Sequence, residues 1–451
     1  MAVLEKYDWI IAIISIAFCA SSFGNGANDV ANSYATSVAA RTLTMPQVGV
    51  LSMITEFVGA VALGSRVTKT IKNGIIDINR FNPAPATLIL GMGCAEVGSA
   101  FWLITATSLG FPVSTTQTVV GALIGVGFAS QASIKWEWTS GSVSQVAASW
   151  GIAPAIAAGF SALIFATIKY SVHNRSDSLN SHNRTADSPD DLKKENGGDS
   201  SDAANIEKGP VGPAQSPLAA KQHLEPDERF LAPYRHLAIF HPLRLWSFVK
   251  YFLLQGVTRD CVTHDSDRLA ATHARAARYD NRVEHLWTYA QVASAMVMSI
   301  AHGSNDVANA VGPWVAAYET YRAGIVQTKT DTPIWILVIA GFLLGAGFWF
   351  FGFHIIRALG NRITQMSPTR GFSMELGAAI TVLLASRLGL PVSTTQCLTG
   401  ATVGTALMNY DLGAVNWRQL LWIFGGWVLT LPCAGLVSGL LMLMALNTPH
   451  F

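Results

Sequence analysis

GANDVANS at residues 26–33 returns as GSNDVANA at 303–310, and PVSTTQ at 112–117 returns unchanged at 391–396. The spacing within each copy nearly matches: Asp29 to Pro112 is 83 residues and Asp306 to Pro391 is 85. A chain that carries the same two polar signatures in the same order, each in apolar surroundings, reads as two related halves. In membrane carriers such halves surround one central site, built where helices break.

The bulk composition agrees. The chain has 451 residues, 50% hydrophobic and only 13% charged, with a mean hydropathy of +0.34. A soluble domain carries about 25% charged residues. Sixteen of the 30 Lys and Arg residues lie between Lys169 and Arg282. Outside that stretch, apolar runs recur near the ~20 residues that cross a bilayer. The net charge of +2 implies no nucleic-acid partner. Five scattered cysteines show no metal-site or disulfide spacing. MAVLEKYDWI has no clear cleavage site, so the first apolar stretch reads as the first membrane helix.

Full-length apolar spans are expected at 8–23, 46–64, 86–109, 146–169, 286–301, 333–359, 372–389 and 417–446, with shorter pieces at 30–40, 117–129, 306–318 and 396–409. Each short piece follows a repeated motif and suits a half-helix or re-entrant segment better than a crossing. Pro432 leaves the last span as one kinked helix or two short ones. The chain divides into a first membrane half (1–169), a polar central segment (170–284) and a second membrane half (285–451). Residues 171–228 hold too little apolar surface to offset ordering entropy, so disorder is expected there. Residues 239–256 alternate apolar and basic groups, as an amphipathic helix at the membrane surface does, although a soluble helix has the same pattern. The charged stretch 265–285 is helix-prone. Sequons at Asn174 and Asn183 call for an external segment; Lys169 and Arg282, close to span ends, call for a cytoplasmic one, and the latter is the expectation.

PVSTTQ reads as the start of a half-helix inside the membrane. Proline fits a first helical turn, and Ser and Thr cap it. Helix starts carry free N–H groups and partial positive charge, which favour anions. The hydroxyls of Ser114, Thr115 and Thr116, and of Ser393, Thr394 and Thr395, add donors. Two facing starts make a cage for a small tetrahedral oxyanion without a lysine or arginine. Ordinary capping in kinked helices is the alternative, and the duplication at matched positions favours the cage. Gly121 and Gly125, matched by Gly400 and Gly404, have the spacing that lets helices approach closely.

Asp29 and Asp306 lie between apolar stretches, where a carboxylate marks an ion or substrate path. Asn28, Asn32, Asn305 and Asn309 offer amide oxygens beside them, and Gly24, Gly26 and Gly303 are expected to loosen the helix and expose carbonyls. Oxygen ligands of this kind suit a hard cation such as Na⁺. An aspartate that merely pairs with exposed N–H groups at the break is the alternative. Three glutamates also interrupt apolar spans. Glu96 and Glu375 each stand 16 residues before their PVSTTQ proline and are equivalent; Glu56 has no twin, and anchoring GSRVT (64–68) on GNRIT (360–364) puts Gly352 opposite it. These carboxylates read as transport or gating groups, with pairing to an arginine such as Arg387 as the structural alternative. His302 reads as a hydrogen-bonded interior residue rather than a ligand.

The two GxNDVAN motifs and both PVSTTQ copies, with GSRVTKTIKNGIID at 64–77 and ARYDNRVEH at 277–285, resemble the inorganic phosphate transporter (PiT) family; the amphipathic stretch and the ARYDN segment are similar to its fungal, sodium-dependent branch. The resemblance covers both apolar halves. It implies an all-α polytopic membrane protein of two homologous inverted-topology repeats, with broken helices, re-entrant hairpins and about 10–12 membrane segments. It implies import of inorganic phosphate with sodium across the plasma membrane by a homodimer, with no enzymatic activity and no cofactor beyond Na⁺ as coupling ion. It assigns phosphate contacts to Ser114, Thr115, Thr116, Ser393, Thr394 and Thr395. It assigns sodium contacts to Asn28, Asp29, Gln117, Asn305, Asp306 and Gln396. Glu56 and Glu375 match carboxylates the family uses in transport. Many relatives carry His where Gln117 and Gln396 stand, which bears on whether sodium or a proton is coupled. The central segment is short for a fungal member. Proton coupling, another oxyanion, or a phosphate receptor without net transport are the competing readings.

Overall fold

The structure, a computed structural model, describes residues 7–139, 141–173, 224–263, 266–328 and 331–448. It is helical throughout; among the described residues there is no strand, only an isolated bridge between Ile76 and Ile134. The first half contains α1 (Asp8–Ala39), α2 (Met45–Leu63), α3 (Ser65–Gly74), α4 (Pro85–Ser108), α5 (Thr115–Ser130) and α6 (Val143–Ile168). The central segment contributes α7 (Pro242–Thr258), α8 (Asp267–Ala274) and α9 (Asn281–Leu286). The second half contains α10 (Thr288–Ala323), α11 (Ile334–Phe351), α12 (Phe353–Ile363), α13 (Pro368–Leu388), α14 (Thr394–Leu407) and α15 (Trp417–Asn447).

Seven of these, α1, α2, α4, α6, α11, α13 and α15, are long and apolar enough to cross a membrane. The 36-residue α10 and the short helices α5 and α14 pack among them. At 16 and 14 residues, α5 and α14 rise only ~24 and ~21 Å, short of the ~30 Å hydrocarbon core. Each starts where its PVSTTQ motif predicts: the Ser114 Oγ accepts from Gln117 N at 3.2 Å and the Ser393 Oγ from Gln396 N at 3.3 Å.

The halves interlock rather than stand side by side. α2 lies along α10 while α11 lies along α1; α5 packs on α15 while α14 packs on α6. Glycines set these approaches. A Cβ on Gly125 would stand 2.0 Å from Gly435 O, and one on Gly404 would stand 2.3 Å from Ala158 O. α1 and α10 run antiparallel: Tyr321 donates to Asp8, Trp314 Nε1 to Ser15 Oγ (3.2 Å), and Asn25 Nδ2 to Asp306 O (2.7 Å).

Three expectations need correction. First, α1 and α10 are not broken at the GxNDVAN motifs; 8–23 with 30–40 form one helix, and 286–301 with 306–318 form another. Their glycines serve close packing instead: a Cβ on Gly26 would meet Leu344 O at 1.9 Å, and one on Gly303 would meet Glu56 O at 2.5 Å. With no room for side chains, the helices touch backbone to backbone and have no cause to unwind. Second, these same contacts set the register of the repeat. Gly26 and Gly303 are equivalent, so Leu344 and not Gly352 stands opposite Glu56. Gly352 is instead the counterpart of Gly64, each filling the one-residue break between two helices. Third, 333–359 divides there into α11 and α12.

The last span is one helix with Pro432 inside it. The stretch at 239–256 forms α7, which leaves Trp246, Leu243 and Phe252 exposed. Most of the segment for which disorder is expected, and both sequons, fall at 174–223, outside the described residues.

Candidate central ion and anion site

The two motif types meet at the centre of the molecule. From α1, Asp29 Oδ2 accepts from Thr115 Oγ1 at 2.7 Å, and its Oδ1 accepts from Thr395 Oγ1 at 2.8 Å. From α10, Asp306 Oδ2 accepts from Thr394 Oγ1 at 2.7 Å, and its Oδ1 from Thr116 Oγ1 at 3.3 Å. Each aspartate therefore holds a threonine from both half-helix starts. The starts also bond to each other: Thr116 Oγ1 lies 3.0 Å from Val392 O, and Thr395 Oγ1 lies 3.0 Å from Val113 O. A hydroxyl has one proton, so Thr116 and Thr395 each choose between an aspartate and a carbonyl of the opposite motif. Asp29 is 1% exposed and Asp306 0%. Buried carboxylates are costly without donors, and here hydroxyls and amides supply them.

Asn32 donates to Asp29 (3.2 Å) and Thr395 (2.8 Å); its counterpart Asn309 donates to Asp306 (2.9 Å) and Thr115 (3.0 Å). Their amide oxygens, together with the Oε1 atoms of Gln117 and Gln396, have no hydrogen-bond partner among the described residues. Four buried acceptor oxygens and two carboxylates make a donor set fitted to a hard cation. Asn28 and Asn305 sit differently. Asn28 Nδ2 donates to Thr107 and Phe111 O while its Oδ1 accepts from Val113 N; Asn305 repeats this with Ser386, Leu390 O and Val392 N. Both amides fasten the loop that leads into each half-helix, with their oxygens already engaged by those N–H groups.

The three glutamates have three different surroundings. Glu56 Oε2 lies 2.6 Å from His302 Nδ1, and its Oε1 accepts from Ser299 at 2.6 Å. His302 Nε2 stands 3.2 Å from Asp306 Oδ2 but outside hydrogen-bond geometry, so a buried carboxylate–imidazole pair from α2 comes close to the central site without a continuous hydrogen-bonded chain. Asp29, His302 and Asp306 also present ligand atoms within 4.8 Å of one another. Sequence reasoning saw His302 only as interior; its four-residue spacing from Asp306 puts both on one helix face, but nothing in the sequence places Glu56 against them. Glu375 accepts from Thr36, Ser37 and Ser294 at 2.5–2.6 Å, and from Gln291 at 3.4 Å. In the other half the positions equivalent to those four donors hold Pro313, Trp314, Ala17 and Ile14, and Glu96 has Ser21 and the Trp314 backbone beside it, outside the close geometry that holds Glu375. The arginine pairing is not what holds Glu375, since its partners are all neutral.

A helical bundle with membrane-length helices and a buried polar site contributed by two related halves defines a polytopic membrane protein with one shared central site. The Phosphate transporter family model matches residues 25–438, and this chain belongs to that family. It is 32% identical to the phosphate-repressible phosphate permease pho-4 of Neurospora crassa, over 100% of this chain and 99% of that one. That alignment spans 585 positions against 451 residues here, so the relative carries inserted segments. A putative phosphate permease of Pyrococcus furiosus is 30% identical, with 96% of each chain covered. Among solved structures, "The sodium-dependent phosphate transporter" superposes with a TM-score of 0.69 at 28% identity, covering 97% of this chain and 100% of that one.

Proposed function

We propose that this protein is a sodium–phosphate symporter that imports inorganic phosphate across the plasma membrane, as a homodimer with its central segment in the cytoplasm. The observation that carries the reading is the pair of buried aspartates, each held by threonines from both half-helix starts. Phosphate at neutral pH bears one to two negative charges, and its entry opposes the membrane potential by about 2.3 kcal/mol per charge per 100 mV. Cations taken up with it reverse that cost. Asp29 and Asp306 are the countercharges for sodium, with the free amide oxygens of Asn32, Asn309, Gln117 and Gln396 beside them. Ser114, Ser393 and the four threonines, at the positive ends of α5 and α14, are the donors for the anion. When sodium takes over the carboxylate oxygens, the threonine hydroxyls are released toward phosphate, which couples the two ligands. Antiparallel halves that share one site lend themselves to alternating exposure of it.

One observation favours a second reading. The Glu56–His302 pair, close to Asp306, is of the kind that moves protons, and proton coupling is the runner-up. Uptake of radiolabelled phosphate into proteoliposomes of the purified protein separates the readings. Sodium symport requires uptake that collapses when choline replaces sodium at both an acidic and a neutral external pH. Uptake that persists in choline at acidic pH makes the proton the coupling ion, and no uptake under any gradient leaves a receptor.

A further inference from the structure

A cavity of about 770 Å³ lies away from the central site, between the end of α4, the helix α12 and the start of α15. Arg268, Arg357, Arg362 and Arg418 are among its lining residues. Arg357 is partly neutralised by Glu225 at 3.1 Å, but no described carboxylate pairs with the other three. Burial first, and then Arg259 and Arg357, hold the His354 imidazole in the cavity's lining below its ordinary pKa. Its lining also includes the apolar Leu109, Leu421 and Trp422, which are 63%, 70% and 53% exposed. Leu109 follows the end of α4, and Leu421 and Trp422 lie in the first turns of α15, where Trp422 stacks on Phe111.

We propose that this cavity is a binding site for an anionic phospholipid whose headgroup carries more than one phosphate. Guanidinium groups grip phosphate oxygens in pairs, and three arginines without a described countercharge match several phosphates better than the single charge of phosphatidylserine. The exposed Leu421 and Trp422 give the acyl chains a path along α15, which a soluble polyphosphate does not need. Basic pockets between membrane helices are suited to such headgroups. The floor of the cavity, Ser108 to Gly110, leads directly into the loop that Asn28 fastens before α5.

The full-length protein in detergent, studied by native mass spectrometry, tests this. Dioctanoyl phosphatidylinositol bisphosphate should be retained at one per chain, dioctanoyl phosphatidylcholine should not, and inorganic phosphate should not compete. The double variant Arg362→Gln, Arg418→Gln should bind the bisphosphate lipid roughly tenfold more weakly or worse, with an unchanged melting temperature. Should that variant not fold, Arg268→Gln with Arg418→Gln, both fully at the surface, should show the same loss. Undiminished binding in a folded variant overturns the site, as does equal retention of phosphatidylcholine. Inositol trisphosphate bound as tightly as the lipid overturns the lipid assignment and makes this a soluble-polyanion pocket.

Discussion

Asp29 and Asp306 are each held by threonines of both motifs, and Thr115 reaches both at 2.7 and 3.5 Å, so the two cannot be perturbed in isolation. Thr115 donates to Asp29 and accepts from Asn309, the helix neighbour of Asp306. Replacing either aspartate by asparagine keeps the shape but removes a countercharge. Asp29→Asn and Asp306→Asn should each abolish sodium-driven phosphate uptake while the protein still reaches the membrane; wild-type sodium dependence in one of them removes that residue from the ion site. In the proposed reading the hydroxyls are the anion's donors, and each charge-assisted hydrogen bond contributes roughly 1.5–3 kcal/mol. Thr115→Val and Thr394→Val should therefore raise the KM for phosphate about tenfold or more, and unchanged kinetics in both would reject a shared cage. Glu56 touches no half-helix start; it reaches the centre only through His302. Glu56→Gln should retain phosphate binding, measured by calorimetry in sodium, yet lose net uptake. Loss of binding itself would place Glu56 among the phosphate contacts.

Helix packing decides where the chain tolerates change. Gly125→Ala puts a methyl group 2.0 Å from Gly435 O, which α5 and α15 can accommodate only by separating. Overpacking of this kind costs about 1–3 kcal/mol, so the melting temperature should fall, whereas Gly151→Ala, with nothing within 4 Å, should leave it in place. Equal melting of the two variants would mean that α5 and α15 yield freely. The GxxxG spacing at 121–125 and 400–404 made these contacts legible in the sequence, and PVSTTQ made the half-helix starts legible, because proline and hydroxyl caps act locally. The continuity of α1 and α10 was not legible. Gly26 and Gly303 have the same composition signal whether a helix unwinds or another backbone presses against it, and only Leu344 and Glu56, distant in sequence, decide between them. The register opposite Glu56 was misplaced by eight residues for a related reason: GSRVT and GNRIT look alike, yet Gly64 and Gly352 occupy the equivalent breaks. The Glu375 donors come from α1 and α10, so no local pattern announced them either.

The antiparallel run of α1 against α10 fixes which ends of the molecule share a face. α1 ends at Ala39, in a cluster with Met298, Met366 and Met374 near the starts of α10 and α13. α10 begins just after α9, so the central segment leaves from the face where α1 ends, and Asp8 with Tyr321 marks the opposite face. The Glu375 cage joins Thr36 and Ser37, late in α1, to Gln291 and Ser294, early in α10, and so lies on the central-segment side of the site. On the other side the four equivalent positions hold Pro313, Trp314, Ala17 and Ile14, with no hydroxyl or amide side chain among them, and Glu96 has Ser21 beside it instead. The molecule is thus polar along its transport axis despite its repeat, and its orientation in the bilayer decides whether Glu375 serves entry or release. Lys169 and Arg282 flank the central segment and favour the cytoplasm; with the proposed cytoplasmic placement and import, the Glu375 side would be the release side. An epitope inserted after Ser200 should then be protected from protease in sealed right-side-out vesicles, while one fused before Asp8 should be cleaved. Asn174 and Asn183 should show no mobility shift on deglycosylation. A cleaved central epitope with a protected amino-terminal one would reverse the molecule and turn Glu375 toward phosphate entry.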